Sequence, residues 1–469
     1  MCVESRCLGQ DECGGQAQDI SVTQIAVYQT VKVPIMVEGQ AVPANGRNAD
    51  VVVDRPAIFR VFAELGPGFQ PRELSARVRL TDGGETSEFF SKATLMQSSA
   101  DDDVQSTFNI EVPREAITAG ARYSVQIVEC APSTQGAVMA PTFPEQGDAD
   151  LSARVTGPLK IHLLPFVYDG LLPDTSPTQL SYYKSFFEAM FPITEAQITV
   201  GEPLDAGGFS DLGVTLEQTF AVRDVEAPAD DVYYYGIARP ANTLQQFCQG
   251  TCTLGVGFVA DPDAPDFRAA VGVAFSEESQ IAGETLLHEV AHNHGREHAP
   301  CGDADGIDVV YPYPGGVVGV WGYDPRDGSL LPPDFTDLMG YCSPQWVSDY
   351  TYQGLMERVV ALNNPVQQRI AFAEAMAPQP SFRVLHVDDK GPRWSRPFQG
   401  RVPNIAPEKA AILDDLGQLV ATVNVYRVPM HGVNAALVLV PEPQPGWYAV
   451  QVAGAAPHPF SAAQEIAVP

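Results

Sequence analysis

The sequence predicts a multi-domain chain: an α+β core flanked by an N-terminal and a C-terminal β-sandwich. Three observations predict it. At 469 residues the chain is long enough for two to four domains. Two stretches, one on either side of the centre, alternate apolar and polar residues with period two between Gly- and Pro-rich breaks. Between them the pattern mixes short buried-strand runs with helical spacing.

Residues 1–19 are rich in Cys, Gly and acidic residues without periodicity, and read as a linker or small disulfide knot. Residues 20–155 read as strands of an Ig-like sandwich. Leu74, Ala76, Val78 and Leu80 alternate with Ser75, Arg77 and Arg79, and Tyr123, Val125 and Ile127 alternate with Ser124 and Gln126. Asp82-Gly83-Gly84 marks a turn. From residue 156 the pattern changes. Residues 161–166 read as a buried strand, and Leu180, Tyr183 and Phe187 follow helical spacing, with Pro177 suited to the first turn. Strand-like runs follow at 232–237, 254–260 and 269–275. After residue 348, Tyr352, Leu355, Met356, Val359 and Leu362 form an amphipathic helical stripe. The core is placed at 156–378 and the second, smaller sandwich at 379–469, where Tyr448, Val450 and Val452 alternate.

The chemistry concentrates in residues 288–298, which read H-E-x-x-H-x-x-G-x-x-H. Helical positions four apart lie about 40° apart around the axis, so His288 and His292 share a face. Gly295 permits the chain to leave the helix and return His298 as a third ligand. Three imidazoles leave the fourth position of a tetrahedral Zn²⁺ for water, as in a catalytic site. Glu289 stands beside the first ligand, where its carboxylate can act as general base on that water. His294 falls about 200° from His292 on a continued helix and so belongs to a supporting or surface position.

This motif resembles the metzincin metallopeptidases, whose signature is the same eleven-residue pattern followed by a Met-turn. Downstream, Asp337-Leu338-Met339-Gly340-Tyr341 resembles that turn, with Met339 as the floor beneath the zinc. The resemblance covers about residues 156–375 and implies an α+β zincin fold. It implies a role for Tyr341 in stabilising the tetrahedral intermediate, although Gly340 stands where the branches with such a tyrosine usually have His. It also implies substrate binding by β-augmentation on the edge strand before the motif helix, for which Ala269, Val271 and Val273 are the candidates, although an apolar strand of this kind also fits an interior position. Residues 342–347 would shape the pocket beyond the scissile bond.

Of the eight cysteines, Cys248 and Cys252 are close in sequence, and Cys301 and Cys342 bracket the region between the third His and the Met-turn. Those two pairs are the expected disulfides, consistent with an extracellular or cell-surface protein. Cys2 near the start leaves a lipid-anchored form open. Asp303, Asp305 and Asp308 resemble part of a Ca²⁺-binding turn but lack the distal Glu, and equally fit a polar surface turn. With 58 acidic against 28 basic residues the net charge is −30, which argues against a nucleic-acid partner. No apolar run is long enough to span a membrane.

The functional expectation is a secreted zinc endopeptidase acting on extracellular proteins or glycoproteins. The alternatives are an adhesin or a carbohydrate- or protein-binding module with an inactive zincin core, and hydrolysis of a non-peptide bond. An intact Glu289 favours the enzyme, because an inactive core is free to lose its base.

Overall fold

The computed structural model describes residues 2–3, 6–7, 11–131, 137, 139–250, 252–260, 264–375 and 377–463. The side chains of Cys2 and Cys7 lie outside the described residues, and so does the question of a lipid on Cys2. The architecture is mixed α/β, with several sheets and few helices.

Near the N-terminus two antiparallel sheets face each other. One is ordered Gln40–Ala41, Lys32–Val37, Ile20–Tyr28, Ala57–Leu65, Phe108–Val112. The other runs Thr142–Phe143, Arg122–Glu129, Arg72–Asp82, Glu85–Leu95. The alternation read from the sequence points inward: Leu74, Ala76, Val78, Tyr123, Val125 and Ile127 are buried with Ile25, Val27, Phe59 and Val61 of the facing sheet. Asp82 pairs with Glu85 across Gly83 and Gly84, both at positive φ, as a two-residue hairpin turn requires. The segment after residue 10 is no free linker. A Cys13–Cys130 disulfide and an Asp11–Arg77 ion pair of 2.6 Å fasten it to the second sheet.

The central sheet is ordered Ala196–Val200, Leu159–Tyr168, Val232–Ala238, Ala269–Val273, Gly255–Gly257. The first four strands are parallel and the last is antiparallel. Parallel neighbours need crossovers, supplied by the helices Pro177–Met190 and Leu212–Glu226. Ser176 caps the first of these ahead of Pro177, and Asp211 caps the second through Val214 N–H at 2.9 Å.

This order corrects one expectation. Ala269–Val273 is an inner strand, bonded on one side to Val232–Ala238 and on the other to Gly255–Gly257, so its backbone has no free edge for a substrate. Its side chains alternate between two cores. Ala269, Val271 and Val273 join Leu212, Leu216 and Phe220, while Ala270 faces Leu286, Leu287 and Val290 of the motif helix. The three residues expected to bind substrate therefore point away from the motif helix, and Gly255–Gly257 is the outermost strand.

The C-terminal region also differs from expectation. It is one continuous eight-stranded sheet, and the reason is the twelve-residue strand Leu419–Met430. Its first half pairs with Glu408–Leu413 and its second half with Ala435–Pro441, so one strand belongs to both halves. Leu385, Trp394, Ile412, Val425, Val438 and Val450 pack together on one side. On the other, Phe382, Val384, Phe398, Val428, Met430, Leu437 and Leu439 merge with the central-sheet core. At about 1.5–3 kcal/mol per buried side chain, stripping that face off the central sheet costs on the order of 10 kcal/mol.

The N-terminal sheets are joined as closely to the centre, since one apolar cluster runs from Ile25 and Phe59 through to Leu286, Trp346 and Met356. Among the described residues no helix is long and apolar enough to cross a membrane.

Candidate metal centre

The motif helix spans Ser279–Asn293. Its apolar face, Leu286, Leu287, Val290 and Ala291, is buried, and His288 and His292 project together from it. Gly295, at φ 80°, ends the helix. Arg358 from the helix Asp349–Asn363 donates to the Asn293 carbonyl at 3.3 Å and the Ala260 carbonyl at 3.0 Å. A cation there also complements the negative helix end.

The turn after Gly295 brings back His298. Ligand nitrogens of His288, His292 and His298 all lie within 4.8 Å of one another, and this is the metal-competent group of His, Cys, Asp or Glu found among the described residues. Each imidazole is oriented by a backbone carbonyl. His288 Nδ1 faces Leu338 O at 2.7 Å, His292 Nδ1 faces Arg296 O at 2.6 Å, and His298 Nδ1 faces Asp305 O. A carbonyl only accepts, so each Nδ1 carries the proton and each Nε2 presents a lone pair inward. The Nε2 atoms of His292 and His298 are 3.0 Å apart. Two facing lone pairs at that distance repel unless a cation draws on both, and tetrahedral zinc bonds of about 2.1 Å set ligand nitrogens about 3.4 Å apart. Burial also holds the rings neutral. It pushes His288 down to about 3, helped by His298, and pushes His292 and His298 below their ordinary range. The donor set therefore fits a borderline divalent cation such as zinc, copper, iron or nickel.

Glu289 is buried, and its Oε2 has no hydrogen-bond partner among the described residues. Burial lifts its carboxyl well above the ordinary carboxylate range. The outermost strand makes room for it. A Cβ on Gly255 would come 2.5 Å from Glu289 Oε1, and one on Gly257 would come 2.9 Å from Oε2. The G-x-G at 255–257 is thus the roof over the carboxylate, a close approach only glycine allows.

The segment Asp337-Leu338-Met339-Gly340-Tyr341 abuts the site. Its Leu338 carbonyl orients His288, and the Met339 carbonyl accepts from Ala299 N–H at 3.0 Å. Met339 is buried in the same core as Leu286 and Val290. Buried Asp337 fixes the turn by accepting from Met339 N–H at 2.8 Å and Ser348 N–H at 2.9 Å. Tyr341 is half-exposed, with its hydroxyl 3.1 Å from His298 Nε2.

Cys301–Cys342 ties the loop after His298 to the residue following Tyr341, and Cys248–Cys252 closes a small loop before the outermost strand. Both are pairings expected from the sequence. The three disulfides among the described residues belong to a protein of an oxidising environment. Of residues 342–347, Trp346 and Val347 are buried in the core, with Trp346 donating to Thr30 O at 3.1 Å, so that end of the segment is structural.

His294 is not at the surface. It is buried, stacked on Tyr233 with centroids 4.5 Å apart, and donates through Nδ1 to Val290 O at 2.9 Å. Nor do Asp303, Asp305 and Asp308 gather as a cation site among the described residues. Their turn holds His298, through the Asp305 carbonyl, a Gly306 O contact with His298 N–H at 3.3 Å, and Asp308 N–H on His298 O at 2.8 Å. The Asp308 carboxylate is occupied by Tyr350 OH at 2.7 Å.

A fourth histidine was not foreseen. His431, in the hairpin between Leu419–Met430 and Ala435–Pro441, lies with its ring centroid 5.1 Å from His292 and 5.9 Å from His298. No sequence motif links it to the site.

Neither a protein-family model nor a curated protein matches this chain.

Proposed function

We propose that the chain is a secreted zinc-dependent endopeptidase built on a metzincin-type core. The observation that carries this reading is the set of three inward Nε2 lone pairs on a motif whose residue next to His288, Glu289, keeps a buried, unpartnered Oε2. The strand and helix order before the motif, the Met339 turn behind it and the Tyr341 hydroxyl beside His298 support the same reading.

Bound zinc supplies Lewis acidity, polarising a carbonyl and making hydroxide accessible near neutral pH. His288, His292 and His298 would hold it through Nε2, their rings being fixed by the Leu338, Arg296 and Asp305 carbonyls. Glu289 would act as the general base that takes a proton from the attacking water and returns it to the leaving amine. The roof at Gly255 and Gly257 keeps that carboxylate in place. The Tyr341 hydroxyl, 3.1 Å from His298 Nε2, would donate to the developing oxyanion. The peptide or glycopeptide nature of the substrate rests on the motif.

The test is Glu289→Gln, assayed on unfolded proteins and glycoproteins. Zinc content should stay at that of the parent while cleavage falls about 10²–10⁴-fold. A parent that holds zinc in full yet cuts none of these substrates overturns the peptidase reading.

A further inference from the structure

We infer that His431 is a fourth active-site histidine, delivered by the C-terminal sheet, which donates a hydrogen bond to the oxygen of a ligand bound at the metal, and that its backbone permanently seals the outer edge of the strand Gly255–Gly257. The inference rests on the metal-site reading above and adds a residue and a limit on substrate pose that the motif does not contain.

Three observations carry it. The first is placement. Tyr341 flanks the His288–His298 side, with centroids 5.9 and 4.9 Å away, whereas His431 flanks the His292–His298 side. The two rings bracket the triad from different directions. His431 is outside the group of ligand atoms lying within 4.8 Å of one another, so it borders the metal position without joining the ligands. Its half-buried ring makes no hydrogen bond to another described residue, leaving an imidazole donor free for a ligand.

The second is the backbone. His431 N–H donates to Gly257 O at 2.8 Å, and Gly257 N–H donates to His431 O at 3.3 Å. The groups with which an incoming peptide would add a strand at Gly257 are therefore already paired. Thr253 Oγ1 donates to Gly432 O at 3.2 Å, extending the seal along the edge. The turn is shaped for this approach: Gly432 has φ 94°, and a Cβ there would come 2.7 Å from Gly255 O.

The third separates a fixed wall from a displaceable lid. The hairpin's own Val428, Met430, Leu437 and Leu439 belong to the core that includes Val256 and Val271 of the central sheet. His386 Nδ1, on the neighbouring strand Ser381–Asp388, meets Glu217 Oε2 at 2.5 Å, both buried. Arg401 reaches Asp230 at 2.8 Å. A hairpin rooted in a shared core does not swing away, so substrates reach the metal without strand pairing at Gly257.

The experiment uses the full chain with Co²⁺ in place of zinc and acetohydroxamate as the metal-bound ligand, followed by the visible Co²⁺ bands. His431→Ala and His431→Phe should weaken acetohydroxamate about tenfold or more, with Co²⁺ affinity and melting temperature close to those of the parent. His431→Gln, which keeps a donor, should recover part of the loss. Equal acetohydroxamate affinity in parent and His431→Ala overturns the role of His431. A parent that binds no Co²⁺ overturns the metal site itself, a different failure. The seal is read by hydrogen exchange: the Gly257 amide should stay protected when acetohydroxamate or a peptide binds, and its deprotection would show a lid.

Discussion

The N-terminal pair of sheets and the C-terminal sheet are both β-structures welded to the central sheet by continuous apolar cores, yet only one reaches the metal centre. The N-terminal junction is fastened by Arg55. It is fully buried, bonding Thr30 Oγ1 at 2.6 Å, Gln29 O at 3.0 Å and Glu188 O at 2.7 Å, with Phe191 O a further partner. Trp346 adds its bond to Thr30 O. These bonds tie the N-terminal sheets to the end of the helix Pro177–Met190 and to Trp346, and their partners are none of the three histidines. The C-terminal junction instead ends in a hairpin whose backbone pairs with Gly257, one residue of the roof over Glu289. Apolar burial thus produces a brace in one case and a wall of the site in the other. What separates them is where the last backbone hydrogen bonds fall.

Three substitutions would sharpen or break this contrast. The largest effect is expected from Arg55→Ala. It strips donors from several buried carbonyls, each worth about 1–3 kcal/mol when left unsatisfied, so stability should fall by about 3 kcal/mol or more. Urea denaturation measures that loss. The folded fraction should keep the parent's acetohydroxamate affinity, and a matching loss of affinity would make the N-terminal junction part of the site after all. His386→Ala comes next. It leaves Glu217 buried without its imidazole and should cost about 1–3 kcal/mol, again by denaturation. Because this pair anchors the sheet carrying His431, acetohydroxamate binding should weaken in step with stability. Gly432→Ala removes no buried hydrogen bond, and its positive φ alone should cost about 1 kcal/mol or more. Its Cβ would nonetheless press on Gly255 O, so the amide exchange of Gly257 should accelerate and ligand affinity drop. A Gly432→Ala protein with unaltered exchange at Gly257 would show that the hairpin is not docked as described.

Much of the metal centre was legible because its spacing is local. His288 and His292 share a helical face at any occurrence of that helix, and Gly295 at φ 80° makes the return to His298 possible. Alternation in Leu74–Ala76–Val78–Leu80 likewise showed which face is buried. It could not show a strand's neighbours. Ala269, Val271 and Val273 look the same as edge or inner strand, and their apolar uniformity was the only hint that both faces are covered. The single sheet near the C-terminus was hidden for a related reason: period two marks Leu419–Met430 as strand but not that it serves two partners. The Gly255–Val256–Gly257 repeat carried a usable signal, since two glycines in a strand mark close approach by another group.

By itself, then, the sequence determined the three imidazoles, the carboxylate next to the first of them and the turn that returns the third. These follow from helical geometry over eleven residues and need no distant partner. Only the tertiary structure decided which strand lies outermost, what roofs Glu289 and which remote segment brings His431 to the site. Those outcomes depend on strand pairing and on the docking of one core against another, contacts between residues far apart in the chain that no local periodicity encodes.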